Sequence, residues 1–151
     1  MIKVVLASEK DIPRIYEIEQ EAISPPWSLG ALMGEIEKDS FFIVAVDDAP
    51  IDDALIVGFA ILRQVGDDGE LLQIAVDKSL RQSGVGDLLM AEIQEHASTK
   101  AFNSVFLEVR RSNAAAIALY KKHGFKQVRV RKDYYEDPVE DALIMVKSII
   151  I

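Results

Sequence analysis

The chain has 151 residues, a formal net charge of -8 at pH 7 and a hydrophobic content of 50%, which fits one domain with a substantial core. It contains no cysteine, which excludes disulfides, thiolate metal sites and a cysteine acyl-enzyme. The acidity argues against a general nucleic-acid surface, and no apolar segment is long enough to span a membrane. We therefore expect a single cytoplasmic domain over residues 1–151, without nucleic acid or membrane as partner, whose charge serves either solubility or a basic substrate.

The first half of the chain predicts one strand, two helices and three further strands. Residues 3–6 form the first strand, and Ser8 and Asp11 have capping-box spacing ahead of a helix to about Ala22. The prolines of SPPWS end this helix, and Ser28 can cap a second one. The next three strands, joined by the polar turns DDAPIDD and GDDG, are FFIVAV, ALIVGFAILRQV and ELLQIAV. Short polar connections predict an antiparallel meander.

The second half predicts a helix, a strand, another helix and two strands. A helix over about 85–100 has apolar residues at helical spacing, namely Leu88, Leu89, Ile93 and Ala97. Because it joins ELLQIAV to SVFLEV, these two strands should be parallel. SNAAAIALYKKHGF predicts a helix with a favourable basic end and glycine stop, followed by strands KQVRVRK and ALIMVKSII. The fold class is therefore α/β, with a central mixed sheet flanked by helices.

The loop LRQSGVGDLL (80–89) places two glycines before a helix. Helix N-termini bind anions through unpaired N–H groups, and Gly84 and Gly86 would let the backbone approach an anion closely. A simple tight turn is the alternative. The loop is not a P-loop, because no Lys-Ser/Thr follows Gly86, and not a dinucleotide fingerprint, because Leu89 stands where glycine or alanine is needed.

Glu108 is the first candidate for chemistry. Strand alternation puts Phe106, Glu108 and Arg110 on one face, with apolar residues on the other. A carboxylate in the middle of such a strand is either ion-paired, with Arg110 as the candidate partner, or functional.

Asn113 and Tyr120 are the second pair of candidates. They are about two helical turns apart and so lie on one side of their helix. Either Asn113 only caps the helix and Tyr120 only packs, or the alanines between them let a cofactor approach closely. His96 and His123 are expected at a helix surface or end, so no metal site is predicted.

The motif R-x-x-G-x-G, running from Arg81 to Gly86 directly after IAVD, resembles the acyl-CoA pyrophosphate loop of the GCN5-related N-acetyltransferase (GNAT) family. Further segments are similar to the bacterial RimI group of ribosomal-protein-alanine N-acetyltransferases: PWS (26–28), IAVD (74–77), LEVRRSNAAAIALYKKHGF (107–125), YY (134–135) and DALIM (141–145).

This resemblance implies a GNAT fold and an enzyme that transfers acetyl from acetyl-CoA to the N-terminal alanine of a small-subunit ribosomal protein. Without cysteine or a recognisable serine relay, direct transfer in a ternary complex is expected. A lysine or a small-molecule amine as acceptor is the nearest alternative, and a non-catalytic CoA-binding module is the other. We expect a monomer or weak dimer.

The resemblance also implies roles for individual residues. Glu108 would take the proton of the amine through water, and Tyr120 would protonate the departing thiolate. Trp27, Tyr134 and Tyr135 would line the peptide; otherwise they are partly buried loop aromatics. The implied cofactor-binding residues are Ile74, Ala75, Val76, Arg81, Gln82, Ser83, Gly84, Val85, Gly86, Asp87, Asn113 and Tyr120. Among these Asp87 departs from the family pattern, since a carboxylate repels phosphate unless its side chain points away.

Overall fold

The computed structural model describes residues 1–38, 40–48 and 55–150, so most of the DDAPIDD turn lies outside the described residues. Two 3₁₀ helices, Glu9–Asp11 and Lys78–Leu80, accompany the main elements. The helices are α1 (Ile12–Ala22), α2 (Leu29–Glu37), α3 (Val85–Thr99) and α4 (Ala114–Lys122). The strands are β1 (Ile2–Leu6), β2 (Phe41–Asp47), β3 (Leu55–Val65), β4 (Asp68–Val76), β5 (Ser104–Arg110), β6 (Lys126–Tyr135) and β7 (Glu140–Ser148). The predicted α/β class and order of elements are confirmed.

The seven strands form one mixed sheet in the order β1-β2-β3-β4-β5-β7-β6. Strands β1 and β2, and β2 and β3, pair antiparallel. Strands β4 and β5 pair in parallel, with Gly69 opposite Val105, as the helical crossover between them requires. Strand β7 lies antiparallel to both β5 and β6.

The described chain falls into two compact units. Unit 1 comprises Met1–Arg63 and Gln73–Ile93, and unit 2 comprises Gln64–Leu72 and Gln94–Ile151. Across the ranges that the structure describes, no helix is long and apolar enough to cross a membrane.

The helices of unit 1 begin where local capping dictates. The Asp11 carboxylate accepts the Ser8 backbone N–H at 2.9 Å, and Ser28 Oγ accepts the Ala31 N–H at 3.1 Å. The Ser28 cap of α2 is as predicted, whereas the Ser8–Asp11 box caps the 3₁₀ helix Glu9–Asp11 that directly precedes α1. Ile15 and Ile18 of α1 are buried and form the apolar face of this helix.

The apolar face predicted for α3 is wrong at one position. Leu88 is 42% exposed, whereas Leu89, Ile93 and Ala97 are fully buried. Adjacent residues on a helix point in directions about 100° apart, so Leu88 and Leu89 cannot both face the core in a stripe of i, i+4 spacing. Val85 supplies the buried residue one turn earlier.

Strand β5 organises unit 2 by strict alternation. Val105, Leu107 and Val109 are buried, and the opposite face carries half-buried Glu108 and Arg110. Helix α4 ends at Lys122 and is followed by Gly124, which has a φ of +90°, a backbone conformation that glycine adopts without strain.

Candidate active site

The glycine loop enters α3 through two residues in left-handed conformation. Gln82 has a φ of +66° and Gly84 a φ of +91°. A Cβ at Gly84 would meet no atom within 4 Å, so the requirement for glycine is conformational rather than one of space. Successive N–H groups in such a turn can converge on an anion. Arg81, Gln82 and Ser83 are exposed, so the loop is open to a ligand.

Asp87 lies in the first turn of α3 and is half-buried. A carboxylate at this position interacts favourably with the positive end of the helix dipole. That interaction gives a structural reason for the residue that departs from the family pattern.

Strand β4 leads directly towards this loop. Gln73 and Ala75 are buried, whereas Ile74 and Val76 are half-buried on the opposite face. The strand ends at Val76, and the carboxylate of the next residue, Asp77, accepts the Ser79 N–H at 2.9 Å. This backbone hydrogen bond, with further help from Ser79 Oγ and Arg14, lowers the pKa of Asp77 to about 2.

A buried polar cluster in unit 1 was not predicted from the sequence. Glu19 of α1 is fully buried and accepts the backbone N–H of Trp27 at 2.9 Å. With its amide oriented to satisfy both neighbours, Gln73 donates to Glu19 at 3.2 Å and accepts from Trp27 Nε1 at 2.7 Å. Burial raises the pKa of Glu19 to about 7. Glu19 follows Ile15 by four residues, so its place on an apolar helix face was a recognisable sign of a buried carboxylate.

Trp27, predicted as an acceptor-lining residue, is therefore held at its backbone and at its indole. It also lines a cavity of about 300 Å³ with Gly30, Gly34 and Glu35 of α2. Glu35 is buried and accepts a hydrogen bond from Ser40 Oγ at 2.7 Å.

Glu108 faces a different arginine from the one proposed from the sequence. Its carboxylate lies 3.8 Å from Arg131 Nη2, while Arg110 Nη1 lies 3.1 Å from Glu140. Arg131 lies on β6, three residues before Tyr134. No local sequence pattern indicates that β6 comes close to β5, so this contact was not predicted from the sequence. The Glu108 side chain is 24% exposed, which leaves it accessible to water.

Tyr134 and Tyr135 meet edge to face, with ring centroids 5.2 Å apart. A hydrogen bond with Glu108 is the largest of several effects that raise the pKa of Tyr134. Burial, with a further contribution from the Glu108 carboxylate, raises the pKa of Tyr135 to about 12. The structure thus brings two predicted acceptor residues beside the predicted base, all within unit 2.

Tyr120 is buried and packs against Phe125, with ring centroids 5.9 Å apart. Burial raises its pKa far above the ordinary value for a phenol. Asn113 caps α4, because its Oδ1 accepts the Ala116 N–H at 3.1 Å. Tyr120 therefore packs in the core and Asn113 caps a helix. A role of either residue in cofactor binding stays a prediction.

His96 lies on a helix and His123 at the end of one, as expected. His96 is on α3 with its ring edge-on to Phe102, and His123 ends α4 with its Nδ1 3.1 Å from Gln94. Within residues 1–38, 40–48 and 55–150, no group of three or more histidine, cysteine or acidic side chains is placed to hold a metal ion.

A model of the acetyltransferase (GNAT) family matches residues 9–125 of this chain. The chain belongs to the acetyltransferase (GNAT) family, and it is an N-acetyltransferase. It is 35% identical to the ribosomal protein bS18-alanine N-acetyltransferase of Salmonella typhimurium, a match that covers 99% of each chain. It is 36% identical to the protein of the same name from Haemophilus influenzae, over 89% of this chain and 90% of that one.

The fold is also that of a solved relative. The crystal structure of the ribosomal-protein-S18-alanine N-acetyltransferase from Escherichia coli matches 100% of this chain and 96% of its own, with a TM-score of 0.89 and 32% identity. The predicted GNAT fold is confirmed.

Proposed function

We propose that this protein uses acetyl-CoA to acetylate the N-terminal alanine of a small-subunit ribosomal protein, by direct transfer in a ternary complex. The observation that carries the proposal is the 35% identity, over 99% of both chains, to a relative named for that reaction. We place the enzyme in the cytoplasm, where ribosomal proteins are made, as a monomer or weak dimer.

The glycine loop fits an acyl-CoA pyrophosphate. Its two left-handed residues, Gln82 and Gly84, turn the backbone so that N–H groups at the start of α3 can face an anion. Residues 81–87 would hold the pyrophosphate, Ile74, Ala75 and Val76 would pair with the pantetheine arm, and Asn113 would add a polar contact. Bound acetyl-CoA supplies the activated acetyl group.

Glu108 would accept the proton of the acceptor amine through water. An α-amine has a pKa near 7.7–8.0, so roughly a tenth of it is already neutral at about pH 7, whereas a lysine near 10.4 is almost fully protonated. An N-terminus therefore demands less of the base than a lysine does. Tyr120 would hold a proton at its Oη for the departing thiolate, since a phenol with an ordinary pKa near 10 is neutral at about pH 7. Burial raises the pKa of Tyr120 further, which makes it a weaker acid.

Trp27, Tyr134 and Tyr135 would line the acceptor peptide. The fixed backbone and indole of Trp27, and the edge-to-face pair of tyrosines beside Glu108, support this role. The net charge of -8 favours a basic peptide as the acceptor.

The test is to offer acetyl-CoA with three peptides: one starting Ala-Arg, the same peptide with a blocked N-terminus, and a lysine peptide with a blocked N-terminus. We expect acetylation of the first alone, detected by mass spectrometry. Acetylation of the lysine peptide alone would reject the proposed acceptor. Binding of CoA without acetylation of any amine, including small polyamines, would support a non-catalytic module instead.

A further inference from the structure

Both terminal nitrogens of the Arg110 guanidinium bind one short segment of unit 2. Nη1 donates to the carbonyl of Pro138 at 3.1 Å and to the Glu140 carboxylate at 3.1 Å. Nη2 donates to the carbonyl of Glu136 at 2.9 Å. The guanidinium carbon also lies 4.4 Å from the ring centroid of Tyr135, within the range of a cation–π contact.

These partners all belong to the β6–β7 turn, which we define as residues 135–140. The Arg110 side chain is only 13% exposed and the Glu140 side chain 16% exposed, so this ion pair is held close to the protein. The hydrogen bonds to the carbonyls of Glu136 and Pro138 lie at the surface, and it is the number of partners that fixes the geometry. A planar fork with five donors can satisfy two carbonyls and a carboxylate together, which an ammonium group cannot match in geometry.

Glu140 extends the contact to the start of α4. Its second oxygen accepts the Ser112 N–H at 2.6 Å, directly before the capping residue Asn113. The hydrogen bonds from Ser112, followed by that from Arg110, lower the pKa of Glu140. The carboxylate therefore stays ionised near neutral pH and holds both partners.

We propose that Arg110 is a positioning residue for the acceptor: it fixes the β6–β7 turn, and with it the Tyr134–Tyr135 pair, in the shape that receives the peptide. The inference rests on the proposed function, because it gives these tyrosines a role in acceptor binding. Arg110 does not itself touch the reacting atoms in this account.

The next residue along the chain offers a matched control. Arg111 pairs with Asp141 at 3.3 Å, but its side chain is 54% exposed. Arg111 has the same side chain as Arg110 but faces solvent. Arg111→Lys therefore controls for the arginine-to-lysine change itself and should not disturb the β6–β7 turn.

The experiment compares Arg110→Lys, Glu140→Gln and Arg111→Lys with the wild type by steady-state kinetics and by amide hydrogen exchange. We expect Arg110→Lys to raise the KM for the Ala-Arg peptide on the order of tenfold, because a lysine retains the charge and loses the fork. The KM for acetyl-CoA should stay unchanged, and exchange should accelerate over the β6–β7 turn. Glu140→Gln should show the same pattern more weakly, and Arg111→Lys should show neither effect.

An unchanged peptide KM together with unchanged exchange in Arg110→Lys would overturn the proposal. So would faster exchange throughout unit 2 in both Arg110→Lys and Glu140→Gln, since that result shows a general structural role. If the wild-type enzyme acetylates none of the peptides, the proposed function fails. Hydrogen exchange then still decides whether Arg110 fixes the turn.

Discussion

The surroundings of Glu108 determine how the acceptor amine could lose its proton. The carboxylate lies 3.8 Å from Arg131 and forms a hydrogen bond with Tyr134. Glu108→Gln keeps the shape of the side chain but removes its capacity to accept a proton. We expect kcat to fall on the order of 100-fold, and to fall most at low pH, where more of the amine is protonated.

A pH profile of kcat for the Ala-Arg peptide measures this effect. Glu92→Gln, at an exposed position of α3, is the matched control and should leave the profile unchanged. A loss of equal size at every pH would contradict the role of Glu108 as base.

Tyr120 combines deep burial with a polar group, since its side chain is 7% exposed. A phenol is protonated throughout the neutral range, and burial raises the pKa of Tyr120 further. Tyr120→Phe should lower kcat without weakening CoA binding, because the ring and its packing against Phe125 remain. Calorimetric titration with CoA and steady-state kinetics measure the two quantities, with Tyr16→Phe as the control. A wild-type kcat in Tyr120→Phe would reject the role of proton donor.

At the level of elements, Glu19 makes the attachment of the Trp27 segment to α1 depend on pH. Its pKa is about 7 in the folded protein against an ordinary value of 4.5, so the native state binds the proton more tightly than the unfolded state. The contribution of Glu19 to stability is therefore full below pH 4.5 and is lost as the pH rises through 7. The shift corresponds to about 3 kcal/mol at most.

Glu19→Gln should abolish this dependence, because an amide can still accept the Trp27 N–H and has no charge to bury. Urea unfolding at pH 5.5 and 8.5 should show that the variant gains more stability relative to wild type at the higher pH than at the lower one. Glu21→Gln, on the same helix with a half-exposed side chain, should behave as wild type. An equal difference at both pH values would contradict the assignment.

Gly58 shows how closely β3 approaches its neighbours in unit 1. A Cβ there would lie 3.0 Å from the Ala75 carbonyl oxygen and 3.2 Å from side-chain atoms of Leu89 and Val85. Gly58→Ala should destabilise the protein by about 1–3 kcal/mol through overpacking. Gly34→Ala, in α2 with no atom within 4 Å of the added carbon, should instead stabilise it by roughly 0.5–1 kcal/mol. Urea unfolding of both variants checks the contrast, and equal effects would contradict it.

Element order and caps were predictable because they depend on residues a few positions apart. Ser28 and Asn113 both cap helices, as their positions indicated. Contacts across the fold were not predictable in this way. Arg131 meets Glu108 only because β6 and β5 both pair with β7, and the register that brings them together is set by long-range pairing rather than by local pattern.

In the candidate site, too, features set by local sequence were predictable and long-range contacts were not. The residue types of the glycine loop and the motif around Glu108 were sufficient to predict an acyl-CoA enzyme by resemblance. The polar cluster of Glu19, Trp27 and Gln73 joins a helix, a loop and a strand far apart in the chain. Only one member, Glu19, was marked by its place on an apolar face.

At the scale of the whole molecule, the net charge of -8 serves either solubility or the attraction of a basic substrate, and the salt dependence of KM distinguishes the two. A basic peptide should be attracted at low salt, and this attraction weakens as the Debye length falls from about 10 Å at about 0.1 M to about 3 Å at about 1 M salt. We therefore expect the KM for the Ala-Arg peptide to rise several-fold over that range, whereas a peptide with acidic residues after alanine should show no rise. An equal change in KM for both peptides would indicate that the net charge serves solubility and not the binding of a basic acceptor.

Two of the groups that Arg110 binds are main-chain carbonyls, those of Glu136 and Pro138. A carbonyl is supplied by every amino acid, so this part of the contact is indifferent to the side chains that the turn carries. The turn can therefore exchange those side chains during evolution or in the laboratory while its shape is retained. We therefore expect acceptor preference to evolve through changes in this turn. The matching experiment grafts onto this chain a turn of the same length from a relative with a different acceptor and keeps Arg110 and Glu140.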